Sequence, residues 1–335
     1  MDWTKQVVLV TGGTGSFGKA CIRLLLDEYK PAKVIVFSRD ELKQHEMRMA
    51  GFDQPNLRYF IGDVRDQDRL TRAMDGVTIV IHAAALKQVP ACEYNPMEAI
   101  KTNILGTANV VEAALATGVH KVLALSTDKA VSPVNLYGAT KLAAEKLTVQ
   151  SNAYSGERPT RFSCVRYGNV VGSRGSVVPL FLKQRAAGKL SITDERMTRF
   201  WLSLEQGVRF VLKSIELMQG GEVFVPKLPS TTITDLARAM APEAELDVIG
   251  IRPGEKLHEV LISEDEARTA VELDDMYVLQ PAQGPWFVRS WDGKGKPLPD
   301  GFHYASNEND QVLNVSEIQD IVAPIAAEWQ AGKLG

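Results

Sequence analysis

The stretch from Val7 to Gly18 constrains this chain more than any other. An apolar run, Val7–Val10, leads directly into Thr11-Gly12-Gly13-Thr14-Gly15-Ser16-Phe17-Gly18, and a segment with helical apolar spacing follows. Gly12, Gly15 and Gly18 make a GxxGxxG pattern. The first glycine must allow a tight turn, the second the approach of a diphosphate, and the third close packing of helix on strand. The diphosphate then meets free N–H groups at the positive end of the helix. A glycine-rich loop by itself also suits a plain strand–helix turn. Its place after the first strand and before an amphipathic helix points to a dinucleotide site, with Thr14, Ser16 and Phe17 completing the loop that faces it.

The rest of the first half keeps the same rhythm. Val34–Phe37, Arg58–Ile61, Thr78–His82, Val122–Ser126 and Phe162–Arg166 read as short buried strands without polar alternation. Between them, Lys19–Tyr29, Glu41–Ala50, Asp66–Met74, Pro96–Thr117 and Ala139–Asn152 carry apolar residues at helical spacing. This alternation predicts an α/β fold, a doubly wound parallel sheet of Rossmann type, with a smaller C-terminal α/β substrate domain. After Tyr167 the rhythm breaks. Gly172–Ser176 reads as a loop, Pro179–Ala187, Leu204–Met218, Thr234–Met240 and Glu255–Leu261 as helices, and Glu222–Val225 and Leu246–Ile249 as strands. Gln280–Gly301 reads as an irregular excursion. The expected division is residues 1–168 plus about 203–227 for the cofactor domain, and about 169–202 plus 228–330 for the substrate domain.

Several function classes lose support on composition. A net charge of −3 gives no electrostatic reason to expect nucleic acid or an anionic membrane as partner. Three dispersed cysteines form no disulfide framework, and five dispersed histidines show no metal-ligand spacing, so no metal is expected. With no signal-peptide pattern and no run long enough to span a bilayer, a cytoplasmic location is the expectation.

The end of the second strand bears on the choice of cofactor. NAD enzymes usually place an acid there for the ribose 2′-hydroxyl. Here the sequence is Phe37-Ser38-Arg39-Asp40-Glu41. Ser38 and Arg39, joined by Lys43, suit a 2′-phosphate, so NADP⁺ is expected. A capping box, Ser38 with Glu41, is a compatible local reading that leaves Arg39 unexplained. Asp63 and Val64 are placed to meet the adenine. Ala83 and Ala85 offer small residues where backbone passes the cofactor, although small residues also serve close helix–sheet packing.

The fifth strand ends in Ser126-Thr127-Asp128-Lys129, and Tyr137-Gly138-Ala139-Thr140-Lys141 follows. A Tyr and a Lys four apart share one helix face. The Lys141 ammonium is expected to lower the Tyr137 pKa, so that the phenolate removes a hydroxyl proton as hydride leaves the same carbon. Lys141 also reaches toward the nicotinamide ribose. YxxxK alone is common; combined with Gly12/Gly15/Gly18, Asp63 and Thr127 it resembles the extended short-chain dehydrogenase/reductase family over about the first 230 residues. The resemblance implies a nucleotide-sugar substrate held by the smaller domain.

Within that family, Asp128-Lys129 is the discriminating pair, since simple 4-epimerases need only the Ser/Thr–Tyr–Lys set and retaining dehydratases carry Asp-Glu. Together with Ala83–Val89, Arg166–Ser176, Met197–Trp201 and Arg252–Glu259, it looks like the inverting UDP-N-acetylglucosamine 4,6-dehydratases of pseudaminic acid synthesis, over nearly the whole chain. That resemblance implies Tyr137 acting on the C4 hydroxyl, Lys129 as C5 base with a pKa pulled down, and Asp128 as acid at C6. It also implies a homo-oligomer, with a hexamer as one such assembly, and flagellin or surface-polysaccharide sugars as the destination. Lys129–Asp128 as a plain surface pair is the alternative. Lys87, Asn169, Arg174, Ser176, Val177, Arg199 and Arg252 are expected substrate contacts, Lys87 touching the cofactor also. Glu255 either orients a ribose hydroxyl, braces Arg252, or sits in the first turn of a helix. A retaining dehydratase, a UDP-sugar 4-epimerase and a non-catalytic NADP-binding scaffold are the competing readings.

Overall fold

Six short apolar segments become the parallel core of a ten-stranded sheet in the computed structural model, which describes residues 1–171, 177–281 and 291–330. In chain order they are β1 (Val7–Thr11), β2 (Lys33–Ser38), β3 (Leu57–Ile61), β4 (Ile79–His82), β5 (Lys121–Thr127) and β6 (Arg161–Tyr167). Their spatial order is β3-β2-β1-β4-β5-β6. The order reverses between β1 and β4, so a crevice opens beyond their carboxyl ends, where open α/β sheets bind ligands. Both faces are covered, as all-parallel sheets require. One core cluster gathers Val8, Val10, Ile22, Val34, Val36 and Phe224, the other Leu9, Ile35, Phe37, Leu70, Val80 and Phe162. Adjacent strand residues thus go to opposite clusters, the period-2 alternation of a strand buried on both sides.

Beyond β6 the sheet continues with Val223–Pro226, parallel, and then with the antiparallel strands Met276–Leu279, Ala270–Glu272 and Lys296–Pro297. The last three come from a stretch expected to belong wholly to the smaller unit. Smaller sheets pair Thr198–Leu202 with Asn169–Val170 and Ser230–Thr232, Lys189–Ile192 with Glu245–Val248, and Val260–Ile262 with Tyr304–Ala305. Their core is Val178, Phe181, Leu190, Trp201, Leu236 and Ile318, closed by the helix Val315–Gln330.

Three sequence expectations change. Glu255–Leu261 is not a helix but a loop that enters the strand Val260–Ile262. Gly254 stands at φ +80°, and the carbonyls of Lys256 and Leu257, which a helix would need, instead accept from the Arg199 guanidinium at 3.0 and 3.1 Å. The first-turn reading of Glu255 goes with the helix. The capping box at Ser38 does not form either. Ser38 is still in β2, paired with Ile61, and Asp40 caps the helix Glu41–Met49 by accepting from the Lys43 N–H at 3.0 Å. Finally, the single helix expected over Pro96–Thr117 contains a π-helical turn, Ile100–Leu105, a distortion that often marks functional sites. Among the described residues no helix is long and apolar enough to cross a membrane.

One buried charge group fastens the sheet to the later chain. Arg166, on β6, is wholly buried. Its guanidinium donates to Glu145 of the helix Leu136–Gln150, to Glu266 at 2.8 and 2.9 Å, and to the Leu261 carbonyl at 2.9 Å. Removing one partner of such a group leaves a buried charge under-compensated. Glu145→Ala is therefore expected to lower unfolding stability by about 3 kcal/mol, read from the denaturant midpoint. Burial pushes the Glu266 carboxyl up, but the hydrogen bond and charge of Arg166 outweigh it and bring its pKa from 4.5 down to about 2. A carboxyl whose pKa is depressed by folding stabilises above its unfolded value. This contribution should be complete above about pH 4.5 and vanish as pH falls toward 2, so acid unfolding of Glu266→Gln should show a flatter pH dependence across that window.

Candidate active site

The dinucleotide turn follows from close backbone approach. Gly12 stands at φ +67°, and a Cβ on it would lie 3.0 Å from the Ala84 backbone. A Cβ on Gly18 would lie 2.5 Å from Gly13 Cα, and one on Gly13 2.8 Å from Val36 Cγ1. Helix α1 (Ser16–Leu24) therefore begins hard against the end of β1. Its N-cap is Gly15, with no side-chain cap, so the first-turn N–H groups point into the crevice. The Thr11 hydroxyl accepts from the N–H groups of Ala83 and Ala84 at 3.1 and 3.2 Å and bonds His82 Nδ1 at 2.8 Å. It ties the ends of β1 and β4 together at the switch point. Burial brings the His82 pKa down to about 3, which keeps the ring neutral. A shallow, backbone-lined cradle of this kind fits a dinucleotide diphosphate.

At the far end of the crevice each of the expected 2′-phosphate residues is already engaged with a neighbouring side chain. The Ser38 hydroxyl accepts from Gln44 Nε2 at 3.0 Å. Arg39, 54% exposed, lies 3.5 Å from Asp63, and Lys43 lies 2.8 Å from Asp40. Burial raises the Asp63 carboxyl, but hydrogen bonds from Arg65 and the charge of Arg39 bring it below its ordinary value. Val64 is buried under Gly106, where a Cβ would lie 2.7 Å from it.

The reaction centre forms where β5 ends. Thr127 caps the turn Asp128–Ala130, and its hydroxyl donates to Asp128 Oδ1 at 2.8 Å. Asp128 is 1% exposed, and among the described residues its Oδ2 has no hydrogen-bond partner. Lys129 Nζ donates to Asp128 Oδ1 and to Asn169 Oδ1, each at 3.1 Å, and to Glu259 Oε1 at 3.4 Å. Asn169 and Glu259 come from opposite sides of the cleft, so Lys129 is no surface pair. Burial opposes the charge of Lys129, but Asp128 and Glu259 more than offset it and raise its pKa. This reverses the lowering that a base role led us to expect.

Tyr137 opens the helix Leu136–Gln150 and is almost fully buried, against Cys92 and Ala99. Asn135 caps that helix by accepting from the Gly138 N–H at 2.7 Å. A Cβ on Gly138 would lie 2.2 Å from the Lys129 carbonyl, so the glycine is what lets the helix rest on the Lys129 turn. Burial pushes the Tyr137 phenol up to about 12; the charge of Lys129 and a hydrogen bond with Thr127 work against it. Lys141, expected to be the cation that lowers Tyr137, donates instead to the Leu125 carbonyl at 2.6 Å, and burial lowers its own pKa.

Of the expected substrate residues, Asn169, Val177, Arg199, Arg252 and Glu255 line, together with Lys129, one cleft of about 1680 Å³ between the sheet and the smaller unit. Arg252 reaches Glu255 at 3.8 Å, the bracing contact. Arg199 is committed to the Thr198, Lys256 and Leu257 carbonyls. Desolvation and the nearby Lys129 lower the Lys87 pKa. Arg174 and Ser176 lie outside the described residues, and Ala83 and Ala85 flank the Ala84 contact with Gly12. Among the described residues no cluster of His, Cys, Asp and Glu could hold a metal ion.

Sequence reasoning missed Thr11, Asn103, Gly138 and Glu259. Asn103, on the π turn, brackets Leu86 by accepting from its N–H at 2.8 Å and donating to its carbonyl at 2.9 Å. It also donates to Thr140 at 3.0 Å and so ties the loop after β4 to the Tyr137 helix. Gly138 stood inside the YxxxK motif and Glu259 at the end of Arg252–Glu259, both visible but given no role.

Comparison with known proteins adds four findings. The family described as polysaccharide biosynthesis protein matches residues 8–281. A Campylobacter jejuni protein named UDP-N-acetylglucosamine 4,6-dehydratase (inverting) is 53% identical over 328 residues, 96% of this chain and 98% of the relative. A Rickettsia rickettsii protein named UDP-glucose 4-epimerase is 43% identical over 333 residues, 95% of each. The X-ray structure of Pen from Bacillus thuringiensis superposes with a TM-score of 0.88 at 38% identity, covering 97% of this chain and 99% of that one.

The glycine turn has little slack. Gly18→Val should weaken dinucleotide binding about tenfold or more, the cost of overpacking by 1–3 kcal/mol. Isothermal titration checks this; unchanged affinity would mean that helix and turn can separate.

Proposed function

We propose that this chain, which belongs to the polysaccharide biosynthesis protein family and is built on the extended short-chain dehydrogenase/reductase fold, dehydrates UDP-N-acetylglucosamine across C5 and C6 with inversion at C5. The observation that carries this reading is the pairing of buried Asp128 with partly exposed Lys129 beside Tyr137 and Thr127. An epimerase has no use for an extra acid and base there. A dehydratase needs both.

A nicotinamide dinucleotide, which the Gly12–Gly18 turn and the first turn of Ser16–Leu24 would hold, would supply the hydride acceptor and donor that oxidation at C4 and reduction at C6 require. The chain's own residues handle protons. Tyr137 accepts the C4 hydroxyl proton. Because burial favours the protonated phenol, the phenolate needs a cation close by, and Lys129 is the one whose charge acts on it. Oxidation at C4 acidifies the C5 hydrogen. Lys129 rests as an ammonium, so it becomes a base by passing its proton to Asp128 Oδ1, 3.1 Å away. That transfer arms both groups at once, the amine for the C5 hydrogen and the carboxylic acid for the departing C6 hydroxyl. Water leaves, and C5 is reprotonated on the opposite face.

NADP⁺ is the proposed cofactor, because Arg39 and Lys43 place two cations where β2 ends. Arg252, largely exposed in the cleft, is the proposed diphosphate contact and Glu255 its brace. The product is a UDP-4-keto-6-deoxy sugar suited to pseudaminic acid-type synthesis, made in the cytoplasm by a homo-oligomer. The 43% identity to a protein named UDP-glucose 4-epimerase favours one second reading, C4 epimerisation.

Incubation with UDP-N-acetylglucosamine in D₂O separates the two. A 4-keto-6-deoxy product with deuterium at inverted C5 is expected, whereas UDP-N-acetylgalactosamine would establish the epimerase. Lys129→Met and Asp128→Asn should each slow elimination by about a hundredfold or more while still binding the dinucleotide; near-normal turnover of either removes its assigned role. The dissociation constant for NADP⁺ should be lower than that for NAD⁺, and Arg39→Ala should erase the difference.

A further inference from the structure

Lys129 has a second carboxylate beside it that the proposed reaction leaves without a task. Glu259 is 2% exposed, yet it lies 130 residues from Lys129 in sequence. Its backbone is held on both sides by Ser306: the Glu259 N–H donates to Ser306 Oγ at 3.0 Å, and the Ser306 N–H donates to the Glu259 carbonyl at 2.8 Å. Ser306 Oγ is itself bonded to Thr198 Oγ1 at 2.7 Å. The carboxylate thus projects from a rigid mount. Its Oε1 accepts from Lys129 Nζ at 3.4 Å and faces Arg199 Nε at 3.7 Å, while its Oε2 is buried without a hydrogen-bond partner among the described residues. A carboxylate kept only to fasten the smaller unit would be expected to satisfy both oxygens, as Glu145 and Glu266 do with Arg166.

We propose that Glu259 is a positioning residue for the C5 base, acting through Lys129 rather than on the sugar. This rests on the reading of Lys129 as that base. Asp128, on the lysine's own turn, and Glu259, across the cleft, hold the amine from two directions, and Asn169 completes a three-point mount. Without Glu259, the amine can swing toward Asp128 and away from the cleft.

The charges around Lys129 give the pH dependence its sign. Asp128, Glu259 and Tyr137 favour the ammonium, and Arg199 opposes it. Lys87 from the loop after β4 and Lys256 from the Arg252–Glu259 loop also face it as cations. Activity requires the one proton that Lys129 and Asp128 share, so the basic limb of the rate profile reports its loss. Removing the Glu259 charge weakens the hold on the proton and moves that limb to lower pH.

The test uses the full chain with its bound cofactor and UDP-N-acetylglucosamine in D₂O across a pH series, reading deuterium at C5 and product formed. In Glu259→Gln the basic limb should move down by about one pH unit. The plateau rate of C5 exchange should fall roughly ten- to a hundredfold through lost aim. UDP and dinucleotide dissociation constants should stay within twofold of the unaltered enzyme. Glu259→Asp, which keeps the charge but retracts it, should shift the limb less and recover part of the rate. An unmoved limb overturns the proposal, whether the rate is unchanged or falls equally at every pH. If Glu259→Gln does not fold, Glu259→Asp decides alone: an unmoved limb with an unaltered rate overturns the proposal. Lys129→Met in the same series separates the two layers. Continued C5 exchange there refutes the base assignment itself, whereas its loss alongside an unmoved Glu259→Gln limb refutes only the role of Glu259.

Discussion

The distance between the helix Leu136–Gln150 and the turn after β5 governs everything else at this site. That helix presents Tyr137 and Lys141; the turn presents Thr127, Asp128 and Lys129. They can converge only because position 138 has no side chain to meet the Lys129 carbonyl. The same device operates at Gly18 and Gly12, where backbone lies on backbone at the mouth of the cofactor crevice. Glycine is costly in a helix because it gains most freedom on unfolding. Here the loss is offset by an approach that no other residue permits.

The second contributor is a loop without regular structure. From Arg252 to Glu259 the chain runs through the cleft and satisfies its polar groups outside itself. Asn135 donates to the Gly254 carbonyl at 2.8 Å, Arg199 takes the next carbonyls, and Lys256 donates to the carbonyl of Val131. Buried backbone must find partners somewhere, and side chains from three other elements provide them. Ser132, a non-glycine residue at φ +43°, adjoins one of these contacts, so the catalytic turn itself holds a left-handed residue that neighbours must keep in place.

The sheet was legible in the sequence because its strands are uniformly apolar and its helices periodic, and these two signals are local. β1 to β6 were readable to within a residue or so, and so was the glycine turn. The Arg252–Ile262 stretch misled because its spacing is helical while its carbonyls are claimed by Arg199, a residue more than fifty positions earlier. Similarly, Lys141 was read from its place on the helix face as the partner of Tyr137, although its nearest acceptor is a strand carbonyl. The role of Glu259 depends on Lys129 and Ser306, neither of them near it in the chain. Periodicity reports which face is buried; it does not report which distant atom answers a given donor.

That long reach has a consequence for biosynthesis. The nucleotide crevice uses residues from the first half of the chain only, so it can form while translation continues. The mount for Lys129 needs Glu259, and Glu259 needs Ser306 to fix its backbone. Non-local pairings of this kind close late, because the loop between them must first be ordered. A ribosome-bound chain can therefore carry a finished Rossmann core and an exposed cleft well before it carries a working catalyst, and it gains that last competence only as its final tenth emerges.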